Sequence, residues 1–304
     1  MKFIVNLSIL FMALWSPLSA RTWTSSEGKP VEAEFVSATD TEVTLKRDKD
    51  GKTFTLPLTK LSEDDQAFVK AKKEEPEPVA PIEGEYAQLI TGDWKLSNHG
   101  NLPYAFYGGK ELDGSKKYPL VICLHGKSNN NENGKQTRLA KSFIKSANYG
   151  KRPCLILAPL CYQPHGGSGL GWYQEPGDEL LDLIDNLIKK LPIVDRKRIY
   201  VAGISMGGAG TWHMLKKEPR LFAAGVPIAG YMNEVGMLRF QPIWCFHGVK
   251  DHLVDISRAR ACADQLKRSR VFKYTELPNA KHSIFNEVFS DEKVHEWLFA
   301  QRRK

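Results

Sequence analysis

A serine, an acid and a histidine stand in this chain where together they could carry out acyl transfer. Ser205 is the centre of Gly203-Ile204-Ser205-Met206-Gly207, a G-x-S-x-G pentapeptide whose flanks give it meaning. Residues 198–202, Arg-Ile-Tyr-Val-Ala, form a β-branched and aromatic run expected to be a buried parallel strand. Residues 208–217 read as a helix that stops before Pro219. Strand, tight turn and helix make a nucleophile elbow, which lifts Oγ of Ser205 clear of the sheet above a helix N-terminus that favours negative charge. A serine hydroxyl needs a general base, and the base needs an acid to orient it. Both follow in the chain order of the motif, acid first and histidine second. Residues 242–246 read as another buried strand that runs into His247-Gly248-Val249-Lys250-Asp251 and places Asp251 just beyond its end. Residues 271–277 read as a further strand, and the loop Pro278-Asn279-Ala280-Lys281 delivers His282. The expected roles are Ser205 as nucleophile, His282 as base and then acid, and Asp251 as buried orienter. Asp255 is the rival acid, four residues further on and expected at a helix N-cap. His247 and His252 rival His282. His247 ends a strand and reads as a structural hydrogen-bonder, whereas His252 has no strand directly before it to aim it.

An acyl-transfer site also needs donors for the oxyanion. One is the backbone N–H after the nucleophile, that of Met206, and the second comes from a loop after an earlier strand. Residues 118–124 are that strand and end in His125-Gly126-Lys127, so the second donor is expected at Lys127, with Gly126 giving the chain room to curl. Each such N–H contributes roughly 3 kcal/mol in the transition state. Residues 165–175 follow the strand end Leu157-Ala158-Pro159 on the same sheet edge. Glycines ahead of Trp172 and Tyr173 suit a substrate-facing loop. An aromatic pair plugging the surface is the equal alternative. Residues 178–190 are an amphipathic helix with acids first and lysines last, which packs on the sheet and has no catalytic meaning. Residues 231–241 are too short for a lid domain, so the cleft is expected to be open. No cluster of His, Cys, Asp and Glu has metal-site spacing and no glycine loop cradles a phosphate, so neither a metal nor a cofactor is expected.

From residue 96 onward the chain resembles bacterial α/β-hydrolases of the predicted peptidase or phospholipase/carboxylesterase-like group, relatives of dienelactone hydrolases and feruloyl esterases. The segments that carry the resemblance are residues 119–126, 157–159, 198–208, 246–251 and 279–282. In that group the aspartate of the H-G-x-x-D-x-x-V spacing, here His247, Gly248, Asp251 and Val254, is the triad acid, which favours Asp251 over Asp255. Two departures stand out. Asp255 replaces the proline usual in relatives, and residues 127–134 replace a glycine-rich run beside the oxyanion region. The resemblance implies an α/β-hydrolase fold, a mostly parallel sheet with helices on both faces, and a carboxylic-ester hydrolase working through an acyl-enzyme.

Length and composition fit a two-domain globular protein: 304 residues with 42% hydrophobic content. Residues 1–20 have a charged start, a short apolar stretch and a small-residue cleavage site at Ser19-Ala20. The apolar stretch falls short of the ~20 residues a membrane span requires. It is therefore expected to be a cleaved signal peptide, which implies a secreted or periplasmic protein with no integral membrane span. The five cysteines are odd in number and lack C-x-x-C pairs, and they read as buried thiols, though one bridge is left open. Net charge is +8, or +7 without Lys2, with basic residues scattered among acids except at Arg302-Arg303-Lys304. No basic stripe interleaved with aromatics is visible in the sequence, so nucleic acid is not an expected partner.

Residues 21–70 are a different kind of unit. Residues 31–35 and 42–46 alternate with period two, Asp50-Gly51 marks a hairpin turn into residues 52–58, and Ser62-Glu63-Asp64-Asp65 opens a short helix. Short strands with a terminal helical turn imply a small all-β SH3-like barrel. The segment resembles a small homology domain first described in a yeast endocytic adaptor, which recurs behind signal peptides in planctomycete and verrucomicrobial proteins. A peptide or surface ligand for it is an expectation by analogy alone. Residues 71–84, charged and proline-rich, are expected to be a semi-rigid linker, and residues 85–304 the catalytic domain. The favoured reading is an enzyme acting on an ester, either soluble or part of a polymeric or cell-wall substrate. The alternatives are a serine peptidase of the prolyl-oligopeptidase-like type and a cell-surface binding protein with an inactive hydrolase scaffold.

Overall fold

The period-two runs of the N-terminal part pair into an antiparallel sheet, β1 (Arg21–Thr24), β2 (Pro30–Ala38), β3 (Glu42–Arg47) and β4 (Thr53–Pro57), in that spatial order. The structure, a computed structural model, describes residues 20–74, 79–127, 134–162 and 170–304. The chain divides into two units, Met1–Pro78 and Val79–Lys304. The signal-peptide stretch, the loop residues 128–133 and the glycine run 163–169 lie outside the described residues. In the first unit a bulge between Phe35 and Ser37 and a bridge between Ser25 and Leu61 curl the sheet around Trp23, Ala33, Val43, Leu45 and Val69, as an SH3-like unit requires. Helix α1 (Glu63–Glu74) starts where the Ser62 hydroxyl accepts the Asp65 N–H at 3.3 Å. It runs four residues past the expected end of the unit at residue 70, because Ala71, Lys72, Lys73 and Glu74 are all strong helix formers.

The second unit is built on an eight-stranded sheet in the order β12-β11-β10-β9-β7-β8-β6-β5. Its strands are β5 (Lys95–His99), β6 (Leu102–Tyr107), β7 (Tyr118–Leu124), β8 (Leu155–Pro159), β9 (Val194–Ile204), β10 (Ala224–Ile228), β11 (Ile243–Gly248) and β12 (Phe272–Leu277). The six strands from β12 to β8 run parallel, and β6 and β5 add an antiparallel edge. Near-continuous apolar runs such as β7 and β8 are buried on both faces, as parallel strands covered by helices must be. Alternate side chains feed two cores. Leu120, Ile122 and Val201 pack with α4 (Glu175–Lys190), α5 (Met206–Lys217) and α6 (Ile256–Leu266). Val121, Cys123 and Tyr200 pack with α2 (Thr137–Ala140), α3 (Ser146–Lys151), α7 (Phe285–Ser290) and α8 (Glu292–Ala300). The chain steps outward from β7 to β8 and then returns to β9 on the other side of β7, so the sheet's switch point lies between β7 and β9.

Residues 79–84, expected to be linker, belong to the second unit. Ala80 O accepts the Gly114 N–H at 2.8 Å, the Ala80 N–H donates to Asp113 Oδ1 at 3.3 Å, and Ile82 packs on the core. The proline-rich composition hid one apolar anchor, Ile82, and a run of backbone groups with partners across the domain.

Candidate active site

Ser205 sits directly after β9, at the switch point, with φ 58° and ψ −115°. A non-glycine residue in that conformation costs on the order of 1–3 kcal/mol and persists only where its surroundings fix it. Here they do. The Ser205 N–H donates to Ile228 O of β10 at 2.9 Å, and a Cβ on Gly203 would stand 2.2 Å from Gly207 O. A Cβ on Gly207 would stand 2.1 Å from Leu124 O. The elbow closes only with glycine at both ends, and α5 begins at the residue after Ser205 with its first N–H groups facing the turn.

Asp251 and His282 follow two further strand ends, those of β11 and β12. His282 Nδ1 lies 2.8 Å from Asp251 Oδ2, and the Asp251 carboxylate is wholly buried. Burial alone would raise the Asp251 pKa. The Val254 N–H at 3.0 Å, the His282 ring and the Leu253 N–H at 2.8 Å outweigh burial and hold the pKa below its ordinary value. Asp251 therefore remains a carboxylate, and a carboxylate beside Nδ1 keeps the His282 proton there and leaves Nε2 free to accept one. The two loops are tied together: the Lys250 N–H donates to Ala280 O at 3.0 Å, and a Cβ on Gly248 would stand 2.1 Å from Lys281 O.

Of the rivals, Asp255 and His247 have other partners. Asp255 is exposed and caps α6 through the Ser257 N–H at 2.8 Å. His252 is exposed. His247 is buried, with Nε2 2.9 Å from Val254 O and 3.2 Å from Asp251 Oδ2. A carbonyl can only accept, so His247 Nε2 carries the proton and stiffens the loop that holds Asp251. Its Nδ1 is buried with no hydrogen-bond partner among the described residues.

The loop after β7 passes against the elbow: a Cβ on Gly126 would stand 3.3 Å from Ile204 O and 3.4 Å from Ser205 Cβ. The backbone next to Lys127 is thus adjacent to Ser205, while Lys127 itself is exposed.

Comparison with known proteins places this geometry. Residues 170–244 match the model of the prolyl oligopeptidase family, and residues 16–76 match that of SLA1 homology domain 1. A solved thermostable esterase superposes with a TM-score of 0.62 at 22% identity, over 88% of this chain and 76% of its own. The second unit has the α/β-hydrolase fold. Among curated proteins, a bifunctional acetylxylan esterase/xylanase of Neocallimastix patriciarum is 24% identical over 178 residues, 53% of this chain. A probable dipeptidyl-peptidase 5 of Aspergillus clavatus is 30% identical over 112 residues, 33% of this chain. The chain spans 25% and 14% of the length of these two relatives.

One expectation about this α/β-hydrolase unit is corrected. Trp172 is fully buried, with its ring where a Cβ of Gly210 in α5 would lie and its Nε1 3.4 Å from His125 O. A side chain sealed in the core meets no substrate. Tyr173 is half-buried, donates its hydroxyl to Ala209 O at 3.0 Å and lies against His213. Trp172 and Tyr173 both pack against α5, as the plug alternative expects. The sequence around Trp172 and Tyr173 reads the same whether the two aromatics turn outward or inward.

His125 stands out in sequence only as part of the His-Gly motif, yet it fixes the loop beside the elbow. It is buried, and the Cys161 N–H donates to its Nε2 at 2.9 Å. The proton therefore sits on Nδ1, which donates to Gly126 O at 2.7 Å. Burial holds its pKa down to about 4, so the ring is neutral at pH 7. The signal available in sequence was the repeated His-Gly pair at the ends of β7 and β11. In each pair a buried histidine fastens the loop and the glycine lets another chain segment cross.

Proposed function

We infer that this protein is a secreted serine hydrolase that cleaves carboxylic esters through an acyl-enzyme. The observation that carries the reading is the strained Ser205, held at the switch point of the sheet beside two strand ends that pair His282 with a buried, ionised Asp251. In this reading Oγ of Ser205 attacks the ester carbonyl while His282 Nε2 takes its proton. The N–H groups of Met206 and Lys127 hold the resulting oxyanion. Collapse expels the alcohol, which leaves with the proton from His282, and Ser205 carries the acyl group. Water then repeats the sequence in reverse and releases the acid.

Esters are favoured over peptides by the acetylxylan esterase relative, whose aligned stretch covers more of this chain than that of the dipeptidyl-peptidase. The family model matched at residues 170–244 reaches the elbow but neither Asp251 nor His282, so it bears on the scaffold shared by both chemistries. Peptide hydrolysis is the second reading, supported by that match and by the dipeptidyl-peptidase relative. A panel of short acyl, aryl, acetyl-sugar and feruloyl esters run beside a peptide panel separates the two. Turnover of acetyl-sugar or feruloyl esters and none of peptides is expected; peptide turnover alone would overturn the ester reading. The signal-like N-terminus supports secretion, which detection of a chain starting at Arg21 in culture medium or periplasm would test.

A further inference from the structure

Basic residues that are scattered in the sequence converge on one face of the α/β-hydrolase unit. A concave pocket of about 690 Å³ is lined by Arg239, Arg268, Arg270, Arg302, Arg303 and Lys304, and by no aspartate or glutamate. Its other lining residues include Ala223, Pro242 and Val271, which immediately precede β10, β11 and β12. The pocket therefore lies at the N-terminal edge of the strands, whereas Ser205, Asp251 and His282 follow their C-terminal ends. Strands of five and six residues put the two edges about 15–20 Å apart.

Most of these cations are available. Arg302 is held by Asp195 at 2.9 Å, and Asp195 is shared with Arg198 at 2.8 Å. No carboxylate among the described residues pairs with Arg239, Arg268, Arg270, Arg303 or Lys304. Arg303 Nε is buried and has no hydrogen-bond partner among the described residues. Beside these cations Phe240 is 78% exposed, with the Arg239 guanidinium 4.7 Å from its ring centre. Five like charges held together repel one another, and an anion placed among them relieves that repulsion. Five of the six lining cations are arginines, whose planar forks match carboxylate groups two bonds at a time. The volume is that of a small-ligand site rather than a single-ion cradle.

We propose that this pocket binds a uronate-bearing polysaccharide and holds the enzyme on a polymeric substrate while the opposite edge of the sheet stays free to work. Arginines take the sugar carboxylates, and Phe240 offers a face for the apolar side of a pyranose ring. Single-stranded nucleic acid fits less well, because its binders stack successive bases on several exposed rings. Here Phe240 is the exposed aromatic, whereas Phe222 is buried in the core. The choice of a saccharide rests on the ester-hydrolase reading above; the cationic pocket itself does not.

The test uses the full chain and unesterified oligogalacturonate, titrated calorimetrically at low salt. Binding is expected to weaken at least tenfold as salt rises from 50 to 500 mM, because these charges are exposed. The triple substitution Arg239→Gln, Arg268→Gln, Arg270→Gln should weaken binding at least tenfold and leave turnover of a small soluble ester within twofold. Lysine at the same three positions should restore part of the loss, the share that comes from charge, because it lacks the planar fork. Equal loss in the glutamine and lysine variants, equal binding of neutral xylo-oligosaccharides, or tighter binding of oligo-dT would each overturn the proposal. If the protein binds oligogalacturonate but turns over no ester, the functional reading fails and the pocket assignment stands.

Discussion

Replacing Asp251 by asparagine removes one charge at constant volume, and two backbone donors decide which way the new amide turns. The Leu253 and Val254 N–H groups both donate to Oδ1, at 2.8 and 3.0 Å, so the asparagine oxygen must take that place. Its NH2 group then replaces Oδ2, 2.8 Å from His282 Nδ1 and 3.2 Å from His247 Nε2. An amide that donates to Nδ1 moves the His282 proton to Nε2, the atom that has to accept the proton of Ser205. The expected result is a loss of about 10⁴-fold in kcat, as when the acid of a serine triad is amidated. That corresponds to about 5 kcal/mol of barrier. KM should change little, because the carboxylate is sealed from the cleft. Asp255→Asn is the control: asparagine caps a helix as well as aspartate does, so turnover should stay within twofold. Progress curves on a chromogenic ester, with circular dichroism to verify folding, decide the matter. If Asp251→Asn kept more than a hundredth of the activity, or if Asp255→Asn lost more, the assignment of the acid would be wrong.

Further outcomes follow from the same geometry. Burial lowers the His125 pKa from 6.5 to about 4, so the unfolded chain takes up a proton below pH 6.5 that the folded one refuses until about pH 4. Stability should fall across that window by about 3 kcal/mol on this account, and His125→Gln should flatten the slope in urea titrations at stepped pH. An unchanged slope would mean that His125 is not buried neutral. Trp172→Ala should cost about 3–5 kcal/mol in urea unfolding, as a core cavity does. Trp172→Phe should leave KM for a small ester unchanged, whereas a substrate-contacting ring would raise KM without loss of stability. A chain beginning at Val79 should match the full protein in turnover of a small soluble ester. One beginning at Glu83 loses Ile82 and the Ala80 hydrogen bonds and should be less stable by about 2 kcal/mol, which comparison of urea midpoints would reveal.

The candidate site was legible in sequence because its parts obey local rules. A strand buried on both faces is a continuous apolar run, as residues 198–202 are, and the elbow that follows tolerates only glycine at its two ends. Asp255 announced itself as an N-cap through its position before residues 256–266. What sequence could not reveal depends on which way a side chain turns or on what meets across the fold. Trp172 could face substrate or core with the same neighbours in sequence. Residues 79–84 read as linker, since backbone hydrogen bonds to Asp113 and Gly114 leave no compositional trace. The basic pocket has no contiguous signal in sequence because Arg239, the run Lys267-Arg268-Ser269-Arg270 and the tail Arg302-Arg303-Lys304 lie far apart along the chain, and only the alignment of three strand starts brings their arginines together.

The central claim is that Ser205 is an activated nucleophile, and a fluorophosphonate probe tests it most directly. Incubated with the folded protein at pH 7.5, the probe should add one phosphonyl group per chain, and peptide mapping by mass spectrometry should place it on Ser205. Labelling should vanish in Ser205→Ala and drop sharply in Asp251→Asn and in His282→Ala. Absence of an adduct on the folded protein, or an adduct on another serine that survives Ser205→Ala, would contradict the account.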